Sequence, residues 1–136
     1  MLPRSSLWFA LPCAALLAAC AGTPYQPAVL NGNVELPPNL IKNGRDVMVR
    51  QRLMDVTGSG GAADVLSEQF LNNPKRTPVV YALTYDRRAV HAGGHYEVDS
   101  QVYANGSLRM QGTTMLTGTD AGLPATADVT PQPIAP

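Results

Sequence analysis

The sequence predicts an all-β fold, a small antiparallel β-sandwich in a single domain, placed behind an N-terminal export segment. Three observations lead there. Strings of alternating apolar and polar residues recur through the middle of the chain, with the period of half-buried strands. Turn-forming pairs such as Asn43-Gly44, Gly93-Gly94 and Asn105-Gly106 interrupt them at short intervals. Long stretches of helical period, which an alternating βαβ chain requires, do not separate the strands.

In chain order, Val29 to Leu36 places Leu30, Val34 and Leu36 on one face and Asn31, Asn33 and Glu35 on the other. Pro37-Pro38 stops that strand, because neither residue can donate to a ladder. After the Asn43-Gly44 turn, Arg45 to Val56 reads as a strand with Val47, Val49 and Leu53 inward and Gln51 between them. Its other face mixes Met48, Met54 and Val56 with Arg50 and Arg52. Gly58-Ser59-Gly60-Gly61 is a hairpin loop; no Lys-Ser or Lys-Thr follows to complete a phosphate-binding loop. Ala62 to Leu71 is ambiguous. Ala62, Val65, Leu66, Gln69 and Phe70 fall at helical spacing, which the local pattern slightly favours, but Val65, Leu66 and Phe70 also suit a strand.

Beyond Asn72-Asn73-Pro74 and Pro78, residues 79 to 85 alternate Val79, Tyr81, Leu83 and Tyr85 with Val80, Ala82 and Thr84. Both faces are fairly apolar, the signature of a central strand. His95 to Tyr103 alternates again, with Tyr96, Val98, Ser100 and Val102 inward and His95, Glu97, Asp99 and Gln101 outward. Asn105-Gly106 supplies the two positive φ angles of a type I′ hairpin. Ser107 to Leu116 then returns with Leu108, Met110 and Leu116 in phase. The folded domain therefore spans residues 29–117. Residues 118–136 hold four prolines and few large apolar side chains, and are expected to be disordered or loosely packed.

The N-terminus has its own logic. Arg4 precedes an apolar run from Leu7 to Leu17 that Pro12 interrupts and that is shorter than the roughly 20 residues of a membrane span. This is the layout of a signal peptide over residues 1–19. The closing Leu17-Ala18-Ala19-Cys20 resembles the lipobox of bacterial lipoproteins, which implies that Cys20 is the lipidation site and becomes the new N-terminus. Two or more acyl chains, at about 0.8 kcal/mol per buried methylene, give stable attachment where one gives marginal binding. Ala21, rather than Asp, follows the cysteine, which by the same resemblance implies sorting to the outer membrane, with the domain facing the periplasm. Residues 20–28 then form a tether whose extended reach is roughly 25 to 30 Å.

Cleavage leaves nine basic and ten acidic residues, a formal charge of −1, without the basic excess of a nucleic-acid binder. Cys13 departs with the signal and Cys20 carries lipid, so the core holds without a disulfide. Chemistry is sparse. His91 and His95, with Glu97 and Asp99, form a poor metal cluster, since Gly93-Gly94 leaves the histidines without fixed orientation. No nucleophile elbow surrounds any serine. No catalytic residues, metal or cofactors are expected. Met48, Met54, Met110 and Met115 fit either core gaps or an adaptable surface. If Met48 and Met54 project beside Arg50 and Arg52, that face is apolar with a basic rim, suited to an amphipathic or extended peptide.

Three segments together resemble a known family. They are Leu53-Met54-Asp55-Val56-Thr57, Pro78 to Asp86, and the hairpin from Tyr96 through Val98, Ser100, Val102, Gly106, Leu108 and Met110. Their order and spacing are similar to the YscW-type lipoprotein chaperones, or pilotins, of type III secretion, which share a domain with YbaY-like lipoproteins. The resemblance implies a non-enzymatic β-sandwich in which residues 62–71 form a strand. It implies a partner too: a secretin subunit, bound through its C-terminal region and helped to reach the outer membrane and oligomerise. Gln51 departs from the family, which usually has an aliphatic residue there, and so does Met110, where an aromatic is common; the first could mark a bulge or an altered inner face. The alternatives are a YbaY-like envelope lipoprotein without a secretin client and, in another class, a periplasmic metal-dependent or hydrolytic enzyme.

Overall fold

A computed structural model describes residues 24–43, 45–58 and 63–135. The signal peptide, Cys20 and most of the Gly58–Gly61 loop lie outside the described residues. The elements run β1 (Pro27–Val34), α1 (Pro38–Asn43), β2 (Val47–Asp55), β3 (Asp64–Asn72), β4 (Val79–Asp86), β5 (His95–Ala104), β6 (Ser107–Thr117) and β7 (Gln132–Pro133). They make a sandwich of two antiparallel sheets, one of order β1-β4 and one of order β3-β2-β5-β6-β7.

The alternation predicted from the residues sets the core. Leu30, Val34 and Leu36 meet Tyr81, Leu83 and Tyr85 from the small sheet, and Val47, Val49, Leu53, Tyr96, Val98 and Val102 from the large one. The β5–β6 hairpin turns on Asn105 and Gly106, with φ of 53° and 78°, the left-handed pair that a type I′ turn demands. Pro38 opens α1, where its missing N–H costs nothing, and the six-residue helix packs Leu40 and Ile41 against the core. The sequence reading had only a stop and a turn there.

Residues 64–72 are a strand, so the local preference for a helix was wrong and the family's implication right. The helical spacing has a cause. The β2–β3 register slips between Leu53 and Met54, leaving Leu66 as an extra residue between Ser67 and Val65. That bulge breaks the two-residue period and imitates a helical one. Gln51 is not bulged; it stays in register with Gln69 and Ser100, fully buried, and accepts a hydrogen bond from the Ser100 hydroxyl. A second slip, opposite Val102 and Tyr103, turns Leu108 out beside Tyr103 while Met110 stays in the core.

Two expectations fail outright. β4 is not central: it pairs with β1 alone, and Val80, Ala82 and Thr84 face solvent. Its other edge is met by a side chain, the Gln69 Oε1 accepting from the Ala82 N–H at 3.0 Å. The segment after Thr117 is not disordered either. It runs parallel to the free edge of β1, through Ala127 N to Asn31 O, Val129 N to Asn33 O and Glu35 N to Val129 O at 2.9 to 3.0 Å. It then crosses to pair with β6 as β7. Ala127 and Val129 are buried, and the Tyr81 hydroxyl donates to the Ala127 carbonyl, deep enough that burial pushes the phenol up to about 12. Glycines mark its path. A Cβ on Gly32 would stand 1.8 Å from the Ala127 carbonyl, and one on Gly112 would stand 2.8 Å from Pro131. The folded unit thus extends well past residue 117.

Candidate partner-binding face

β2 lies inside the large sheet, so its alternation gives it two faces of different chemistry. Met48, Arg50, Arg52 and Met54 share the outer one, all half-buried. The strands beside it complete a grid. Met48 is flanked by Asn72 and Tyr103, Arg50 by Phe70 and Gln101, Arg52 by Glu68 and Asp99, and Met54 by Val65 and Glu97. One strand further, Leu108 stands beside Tyr103 and Met115 beside Glu97.

The arginines do not form a basic rim. They occupy the middle of the face, and acidic neighbours neutralise them. Arg50 donates from Nε to Glu68 Oε2 at 2.8 Å, with Nη2 at 2.7 Å, and its guanidinium lies 5.8 Å from the centre of the Phe70 ring. The hydrogen bond to Glu68 holds the Arg50 pKa above its ordinary value. Arg52 donates to Asp99 Oδ2 from Nη2 at 2.5 Å and from Nε at 3.1 Å, and Gln111 Nε2 donates to the other carboxylate oxygen at 3.1 Å. Asp99 is only 1% exposed although it points outward, because these neighbours cover it.

Apolar groups are left at both ends of the grid. Met48, Tyr103 and Leu108 stand side by side at one end; Met54 and Val65 stand at the other, with Met115 beyond Glu97, and there Val65 is 51% and Met115 58% exposed. Phe70, 49% exposed, extends the face along the edge strand β3. Sequence reasoning found the β2 residues from their alternation. It missed Phe70, Tyr103, Glu68 and Asp99, which join the face only through strand register.

The chain enters the fold at the opposite end of β1. Gln26 N donates to Asp86 Oδ1 at 3.3 Å, and Gln26 O accepts from Arg87 N at 2.8 Å. The Arg88 side chain clasps the same carboxylate, Nη2 to Oδ2 at 2.6 Å, and holds its pKa down at about 2. Cys20 precedes Gln26 by six positions. Among the described residues, no three His, Cys, Asp or Glu side chains come together in a group that could hold a metal ion.

No curated protein matches this sequence. An alternative pilotin from the type II secretion system of Vibrio cholerae shares the fold, with a TM-score of 0.65 at 22% identity, over 82% of this chain and 100% of that one. The model of the type III secretion system lipoprotein chaperones, YscW, matches residues 28–130, which take in β1 from its second residue, β2 to β6 and the part of the C-terminal segment that lies along β1, and leave out β7. The chain belongs to the type III secretion system lipoprotein chaperone family.

Proposed function

We propose that the protein is a pilotin: an outer-membrane lipoprotein, held by acyl chains on Cys20, that binds a secretin subunit of a type III secretion system. It engages the C-terminal region of that subunit and promotes its localisation and oligomerisation in the outer membrane. In chain length and lipobox it resembles the pilotin called ExsB. The family match over residues 28–130 carries the proposal. The outer face of the large sheet supports it, with apolar clusters around Met48 and Met54 separated by the paired arginines Arg50 and Arg52. Such a face can receive an amphipathic partner segment by burying its apolar side chains at the two ends. The role requires no catalysis. Acyl chains give the address and the sandwich gives the grip.

The test is Cys20→Ser. The domain is expected to fold as before, while the secretin is mislocalised and its multimers fail to appear in membrane fractions. Normal multimers in the correct membrane would reject the anchoring mechanism.

A further inference from the structure

At the end of the sandwich opposite Gln26, three adjoining hollows run from the outer face of the large sheet round to α1. The first, about 510 Å³, opens between Met48 and Tyr103. The second, about 440 Å³, shares Asp46, Val47 and Asn73 with it and adds Ile41, Arg45 and Pro74. The third, about 230 Å³, shares Ile41, Lys42 and Lys75 with the second and adds Arg76. Together they make one groove with an apolar floor and a basic wall.

Its charge is not compensated. Lys42, Arg45, Lys75 and Arg76 are exposed, and among the described residues none of their side chains forms an ion pair. Arg109 adds a fifth positive charge at this end, and Asp46, Glu35 and Asp128, which accepts from Asn33, stand against the five. The far end is the reverse, with Asp55, Asp64, Asp86, Glu97 and Asp120 against Arg87 and Arg88. The domain therefore carries positive charge at the groove and negative charge where the chain enters from Cys20. β1 separates the two ends by about 26 Å, at roughly 3.3 Å for each of its eight residues. The segment leading from Cys20 joins the acidic end, and the basic groove lies at the other.

We propose that this groove binds an acidic, partly apolar peptide segment of a partner polypeptide. Carboxylates of the segment meet the four basic side chains, and one or two apolar side chains enter the hollows beside Ile41, Pro74 and Met48. The inference rests on the chaperone reading for the partner's identity and adds where, and by what chemistry, an acidic stretch of that partner is held. At Met48 the groove continues into the outer face, so one segment can use both.

The test titrates the full chain, purified in detergent, with a labelled synthetic peptide of alternating Glu and Leu, read by fluorescence anisotropy. Binding is expected to weaken as salt rises, to fall roughly tenfold or more in the Lys42→Glu/Lys75→Glu variant, and to vanish for the same peptide with Lys in place of Glu. Both lysines are exposed, so the thermal unfolding curve of the variant should superimpose on that of the wild type. Equal binding of the acidic and basic peptides, or full binding by the variant, overturns the proposal. Binding of phosphatidylglycerol micelles without binding of the peptide overturns it as well. Capture of purified secretin separates the two readings. Secretin held equally by wild type and variant removes the groove and leaves the chaperone role standing. Secretin held by neither, with the acidic peptide still bound, removes the chaperone role and keeps the groove.

Discussion

The two faces of β2 are built from alternate residues of one nine-residue strand, yet they answer to different demands. Inward, Val47, Val49 and Leu53 are packed against the small sheet, and the one polar member, Gln51, is accommodated by Ser100. Outward, Met48, Arg50, Arg52 and Met54 are half-buried, with their charges paired sideways along the sheet. On the inner face, shape and volume decide what a substitution costs. On the outer face, the pairing of each charge decides it, and the unpaired apolar groups are free to serve a partner. The same strand is thus a structural wall on one side and a working surface on the other.

That contrast can be broken most forcefully at Leu53, which is fully buried. Leu53→Ala is expected to destabilise the domain by about 3 kcal/mol in urea unfolding, the lost transfer energy plus the cavity left behind. A loss below 1 kcal/mol would mean that the inner face is not close-packed. Arg52→Met sharpens the comparison from the other side, because it leaves the covered Asp99 carboxylate with only Gln111. It should cost roughly 3 kcal/mol, as removal of one partner of a buried pair does. Arg50→Met, whose partner Glu68 is 30% exposed, should cost about 0.5 kcal/mol by the same measurement. Equal losses for the two arginines would erase the distinction between a covered pair and an open one.

The next effect has the opposite sign. The Gln51 Nε2 is buried and has no hydrogen-bond partner. Replacing both members of the pair, Gln51→Leu with Ser100→Ala, should raise stability by about 1 kcal/mol, since an unsatisfied donor is removed without leaving a new one. Ser100→Ala alone should instead cost stability, because it strips the buried Gln51 Oε1 of its donor as well. Position for position, Met48→Ser with Met54→Ser is comparable to Arg50→Met. About 0.5 kcal/mol is expected for each half-exposed position, whereas capture of the secretin by the purified chain should fall sharply. Undiminished capture would show that the outer face of β2 is not the working one.

Much of this architecture is legible in the amino-acid sequence. The inward phase of β1, β2, β4 and β5 followed from side chains alone, because a strand with one buried face must alternate. The β5–β6 turn followed from Asn105-Gly106, since few other pairs tolerate two left-handed residues in succession. Three things were not legible. β3 hid behind its bulge, which placed Val65, Leu66 and Phe70 at a false period. β4 looked central because Val80, Ala82 and Thr84 are apolar or β-branched, although they face solvent on a two-stranded sheet. The C-terminal segment offered too few apolar side chains to suggest order. Its attachment is made by backbone hydrogen bonds to β1, which leave no trace in composition.

The candidate face divides the same way. Met48, Arg50, Arg52 and Met54 were placed on one surface by the two-residue period. That Glu68 and Asp99 neutralise the arginines, and that Phe70 and Tyr103 stand beside them, depended on register between strands distant in the chain. The basic groove lies further still from local pattern. Lys42 and Arg45 meet Lys75 and Arg76 only because α1 and the β3–β4 connection fold to the same end of the sandwich.

The amino-acid sequence by itself determined the strand periods and the hairpin turn, because each rests on neighbours a few residues apart, and the all-β class and the family pattern, because both are read from the order in which such local signals recur along the chain. Tertiary structure alone decided which charges are paired, which edge the C-terminal segment covers and where the hollows open. Those depend on contacts between residues tens of positions apart, and no local signal specifies such contacts until the sheets have packed.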